Sequence, residues 1–124
     1  MKTAIIILSD PATRSEDALG RLFNGLAAAY DFKTKQMDVT VLFQGTGTRW
    51  IKEIERTGHP AHALYMSIRD KVAGAAAGCA AFWHATDAIE QAGLALIDDN
   101  AVPGTLGLPS LAQLTADGYR VITF

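Results

Sequence analysis

The segment Thr3 to Leu8 is a short, mostly β-branched run without a charged residue, and it constrains the fold more than any other feature. A strand with one wet face alternates polar and apolar residues, whereas a continuous run of this length fits a strand covered on both faces. Further strand signals fall at Met37 to Phe43, Leu94 to Ile97 and Tyr119 to Phe124. Between them the apolar spacing changes to that of a helix. Thr13 and Glu16 form a capping-box pattern, and Leu19, Leu22, Phe23, Leu26 and Tyr30 then recur on one helical face. Gly20 and Gly25 inside that helix cost about 1 kcal/mol each against alanine, which predicts another element packed closely on them. Gln44 to Thr48 reads as a turn, followed by a helix bearing Trp50, Ile51 and Ile54. Gly58-His59-Pro60 breaks it, and Ala61, Leu64, Tyr65 and Ile68 share a face of the next helix.

Residues 72 to 92 can be read in two ways. One long alanine-rich helix would carry Gly74 and Gly78 at about 1 kcal/mol apiece, so the sequence favours a strand at 72–78 followed by a helix. In that helix Ala81, Ala85, Ala88, Ile89 and Ala92 form a stripe, and Gly93 supplies a left-handed cap. Pro109 and Ser110 open a last short helix, which Gly118 closes. Strands alternating with helices imply right-handed crossovers and a mainly parallel five-stranded sheet between helical layers, an α/β protein with residues 1–124 as one domain. Strand order is not encoded in any pattern of the chain.

Composition removes several function classes. Eleven basic residues scattered through a chain of net charge −2 make no basic stripe, so direct binding to nucleic acid is not expected. The first apolar run is far short of a membrane span and lacks a signal-cleavage pattern, so a cytoplasmic protein without membrane attachment is expected. One cysteine allows no internal disulfide. There is no Gly-x-Ser-x-Gly elbow for a serine hydrolase. Asp98 and Asp99 are consecutive and would point apart if extended, which suits a solvated loop better than an acid/base pair.

Ligands of open parallel sheets gather outside the carboxyl ends of the strands, which here means Ser9-Asp10-Pro11, Gln44 to Gly47, Gly78-Cys79 and Asp98-Asp99. Cys79 is the residue of that set with nucleophilic chemistry. A first helical turn presents aligned N–H groups that favour a thiolate, so Cys79 reads as a sulfur nucleophile or carrier; a buried structural cysteine is the equal alternative. Trp83 and His84 follow within the same helix and would shape access to the thiol. Trp83, off the alanine stripe, reads as an interface or pocket residue or as a tryptophan packed on its own domain. Gly45, Thr46, Gly47 and Arg49 suggest an anion-binding loop, although a dinucleotide fingerprint would need glycine where Trp50 stands, and a plain tight turn explains them as well. His59, His62 and His84 with Cys79 lack the paired ligand spacing of zinc sites; no metal centre and no cofactor is expected.

The order of elements, the cysteine straight after the third strand in Ala-Gly-Cys79-Ala-Ala, and the ending Gly107-Leu-Pro-Ser-Leu-Ala-Gln-Leu with Gly118-Tyr-Arg-Val-Ile-Thr-Phe124 resemble the DsrE/DsrF-like (YchN-like) family over essentially the whole chain. The resemblance implies a three-layer α/β/α fold, trimeric or hexameric homo-oligomers and, in sulfur-trafficking members, a cysteine that takes sulfur from a donor protein as a persulfide and passes it to an acceptor. By position that role falls on Cys79, with Gly78 beside it. Some relatives carry a second cysteine three residues earlier, where this chain has Ala76. The expectation is an intracellular sulfur carrier. The alternatives are an oligomeric ligand- or protein-binding module with Cys79 incidental, and a thiol redox sensor.

Overall fold

A computed structural model describes residues 1–124. Its five strands, β1 (Lys2–Ile7), β2 (Asp38–Phe43), β3 (Val72–Ala76), β4 (Leu96–Ile97) and β5 (Tyr119–Thr123), form one parallel sheet in the order β4-β3-β2-β1-β5. The central run pairs on both sides, with Ile5 opposite Val41 and Ile122. Thr3 to Ile7 are all buried, so both faces of the strand are covered as well, as a continuous apolar strand requires.

Alternation along the strands sends Ile5, Ile7, Val39, Val41, Phe43 and Ala75 to one face. There they meet α1 (Glu16–Thr34), α2 (Trp50–Ile54), α3 (His62–Ile68), α4 (Ala77–Phe82) and α5 (Thr86–Gln91), through Leu22, Leu26, Trp50, Ile51, Ile54, Tyr65, Ile68, Ala80 and Ile89. The opposite face, with Thr40, Leu42, Ala73 and Ile97, adjoins α6 (Leu111–Ala116). The crossovers from β1 to β4 all step one way, and right-handedness places their helices on one side. The return from β4 to β5 steps the other way and puts α6 on the second side. The result is a three-layer α/β/α fold. Between the carboxyl ends of β3 and β4 the chain leaves toward opposite faces, which makes this the switch point of the sheet. No helix is long and apolar enough to cross a membrane.

Several local expectations are corrected. The cap of α1 is Ser15, whose Oγ accepts from the Ala18 N–H, and Thr13 instead closes a 3-10 turn begun at Asp10-Pro11. Proline after a capping aspartate starts its own turn, and Arg14 and Ser15 separate that turn from the helix. The buried face of α1 runs through Ala18, Leu22, Gly25, Leu26 and Ala29, while Phe23 and Tyr30 are exposed. Of its two glycines, Gly25 lies under Ile7 and Phe124, so close that a Cβ would collide with the Ile7 side chain; Gly20 faces open space.

The strand at 72–78 ends at Ala76, because β4 pairs only with Ala75 and Ala76. Ala77 and Gly78 turn into the helix instead. Nor is there one helix from 80 to 92. His84 takes a left-handed conformation (φ 56°), with the Ala85 N–H donating to the Ala80 carbonyl and the His84 N–H to the Ala81 carbonyl. This is the Schellman pattern of a helix end, built on histidine where glycine is usual. Ala81 is therefore exposed, and only Ala85 and Ile89 of the proposed stripe are buried. Gly93 (φ 73°) closes α5 as expected. Its successor Leu94 bonds back to Ile89, which shortens β4 at its start.

Candidate functional site

Cys79 is the third residue of α4, inside the first turn of the helix that leaves β3. The helix has no side-chain cap, and its Gly78 N–H donates to the Gly107 carbonyl at 2.7 Å. The loop after β4 is thus fastened across the switch point. The loop is itself folded. Asn100 and Leu108 exchange two backbone hydrogen bonds of 2.7 and 2.9 Å, and the Thr105 hydroxyl donates to the Val102 carbonyl and accepts from the Gly107 N–H. Gly107 stands at φ 99° with Asp98 at its back, where a Cβ would lie 2.6 Å from the Asp98 carbonyl oxygen.

Between this loop and α4 lies a groove of about 750 Å³. Gly78, Cys79, Ala81, Phe82 and Trp83 form one wall, and Gly104, Thr105, Leu106 and Leu108 the other. Cys79 is partly exposed there. Phe82 and Leu106 stand at the rim, 73% and 70% exposed. Trp83 meets Phe82 edge to face at 4.8 Å. The helix break at His84 accounts for this placement: Trp83 occupies the C-cap of α4 and lines the groove with Cys79.

The expected residues thus divide. Gly78, Cys79 and Trp83 come together at the groove, but His84 does not line it; it is exposed and serves through its backbone. The Gly45 to Arg49 segment, a 3-10 turn, is braced internally. The Arg49 guanidinium pairs with Asp10 at 3.3 Å, the Thr46 hydroxyl donates to the Leu8 carbonyl, and Gly47 packs on the Ile7 carbonyl with no room for a Cβ. Its cation already has a carboxylate. His59 and His62 serve the α2–α3 connection, with His59 Nδ1 accepting from the Ala61 N–H and His62 Nδ1 donating to the Ile54 carbonyl. No three His, Cys, Asp or Glu side chains gather as a metal-binding group. Asp99 accepts from the Ser110 N–H and so braces the start of α6.

Leu106, Leu108, Thr105 and Phe82 were not foreseen as site residues. The glycines at 104 and 107 were the available signal, because they let the 13-residue connection between β4 and α6 fold back over the sheet edge.

Titration behaviour is perturbed away from the groove. Burial is the largest influence that raises Tyr65, followed by its hydrogen bond of 2.7 Å to Glu55. Arg69, beside Tyr65 and Glu55, is also raised: burial opposes this, and its two partners outweigh it. Its guanidinium also reaches the Ala92 carbonyl at the end of α5. This network ties α2, α3 and α5 together on the covered face of the sheet.

No curated protein and no solved structure matches the chain. The model of the DsrE/DsrF-like family matches residues 1–124. With the fold and the cysteine position described above, that match over its full length means that the chain belongs to the DsrE/DsrF-like family.

Proposed function

We propose that this protein is a sulfur carrier in which Cys79 accepts a sulfane sulfur as a persulfide and yields it to the thiol of a partner protein. The observation that carries the proposal is the position of the chain's one cysteine, partly exposed on the wall of the groove at the β3/β4 switch point. The family's link to sulfur relay supports it. A carrier thiol needs access for donor and acceptor in turn, and an open groove provides this. A homo-oligomer, trimeric or hexameric, is part of the proposal. It is supported by the exposed apolar residues Leu111 and Val121 on α6 and the edge strand β5, where no other element covers them.

Intact mass spectrometry after exposure to a sulfane-sulfur donor tests the carrier role. The expected result is a gain of one or more sulfur atoms that a reductant removes and Cys79→Ser abolishes. Equal uptake by the serine variant would reject the role. Light scattering at micromolar concentration should return a stable trimer or hexamer, and a clean monomer would reject the assembly.

A further inference from the structure

Resting on that role for Cys79, we propose that the groove selects the donor: a small organic hydropersulfide, R–S–SH, whose R group is aromatic or branched aliphatic and carries no charge. Three observations lead there. None of the nine residues lining the groove is charged. Its one side-chain hydroxyl, on Thr105, is already engaged as donor to Val102 and acceptor from Gly107. Phe82, Trp83, Leu106 and Leu108 present an apolar surface around the thiol, and the first and third are largely exposed.

A volume of about 750 Å³ suits a small molecule. Covering Phe82 and Leu106 with an apolar body removes hydrocarbon from water, whereas a donor with a carboxylate or sulfonate body would lose hydration and gain no ion pair. In the transfer, the Cys79 thiolate attacks the outer sulfur of R–S–SH. A Cys79 Sγ–S bond forms, the S–S bond of the donor breaks, and its electron pair leaves on R–S⁻. Cys79–S–SH and R–S⁻ result, with the charge conserved and no external oxidant or reductant.

The test compares benzyl hydropersulfide with glutathione hydropersulfide, which share the reacting group and differ in body charge. Loading rates on Cys79 are each divided by the rate on N-acetylcysteine methylamide, so that intrinsic reactivity cancels. We expect a normalised preference for the benzyl donor of about tenfold, the scale of covering part of one aromatic side chain. It should fall toward unity in Phe82→Ser and Leu106→Ser, whose exposed positions leave the core intact. Separately, fluorescence of neutral phenylnaphthylamine should report reversible binding to the Cys79→Ser protein, weakened by the same two substitutions.

The outcomes are distinguishable. Phenylnaphthylamine binding with no sulfur uptake from either donor would reject the carrier role while leaving an apolar ligand site. Uptake from both donors at the small-thiol ratio would reject donor selection and leave the carrier role standing. Loss of oligomers in Phe82→Ser and Leu106→Ser with an unchanged donor ratio would also overturn the proposal, because the groove would then be an interface between copies.

Discussion

The Gly78 amide and the Gly107 carbonyl, 2.7 Å apart, join the first turn of α4 to the loop after β4 across the switch point of the sheet. Both positions are glycine for a geometric reason. At Gly78 a Cβ would lie 3.0 Å from the Gly107 oxygen, and at Gly107 the backbone is left-handed with Asp98 pressed behind it. Gly107→Ala should therefore cost about 1–3 kcal/mol in urea denaturation. It should also shift the loop and change the alkylation rate of Cys79. A stable variant with an unchanged thiol rate would show that this contact does not shape the groove.

The left-handed His84 makes an opposite prediction. Glycine inside a continuous helix costs about 1 kcal/mol, but at a left-handed helix end it relieves the steric cost of the side chain, about 1–2 kcal/mol. His84→Gly should accordingly leave the melting temperature unchanged or raise it. Sulfur loading on Cys79 should not change, since His84 does not line the groove. A clear drop in melting temperature would mean that α4 and α5 run together as one helix.

His59 governs one part of the acid response. Burial is the main influence lowering its pKa; Arg56 and His62 act the same way and Glu53 opposes them. Its Nδ1 accepts from the Ala61 N–H, a bond that only a free lone pair can make. The folded state thus prefers neutral His59, while the unfolded chain takes up its proton near the ordinary value of 6.5. Stability from this group is present above pH 6.5, and declines as pH falls below it until folded His59 is protonated too. Chemical denaturation across this range should show a decline that is smaller in His59→Gln. An identical profile in the variant would remove His59 from the account.

What the chain reveals about its fold follows the strength of its local signals. Continuous apolar runs such as Thr3 to Leu8 announce buried parallel strands, because few other structures accommodate them. The left-handed end of α4 was hidden, because the residue at the bend is histidine and no glycine marks it. Nearness to Cys79 already suggests that Trp83 shapes access to the thiol, but the helix end that turns it into the groove is invisible while residues 80–92 read as one helix. The strand-to-helix transition and the family pattern made Cys79 legible as a candidate position, and the structure places it on the wall of the groove. The opposite wall, from Gly104 to Leu108, depends on strand order, since only the adjacency of β3 and β4 brings the loop over the cysteine. Similarly, the internal pairing of Arg49 with Asp10 joins residues 39 apart and leaves no local trace.

The cysteine count sets the last prediction. A dithiol oxidoreductase resolves its mixed disulfide with a neighbouring thiol, but Cys79 is the chain's one thiol. Once loaded, Cys79 needs an external thiol or a second copy to return to its free state. Oxidation should give persulfide, sulfenate, small-thiol adducts or a bridge between Cys79 residues of two copies, each visible by mass under non-reducing conditions. The purified protein should release its sulfur only when an acceptor thiol is supplied, at one equivalent per loaded cysteine. Repeated turnover of a disulfide substrate without any added thiol would be incompatible with a carrier, because one cysteine has no internal partner with which to reset itself.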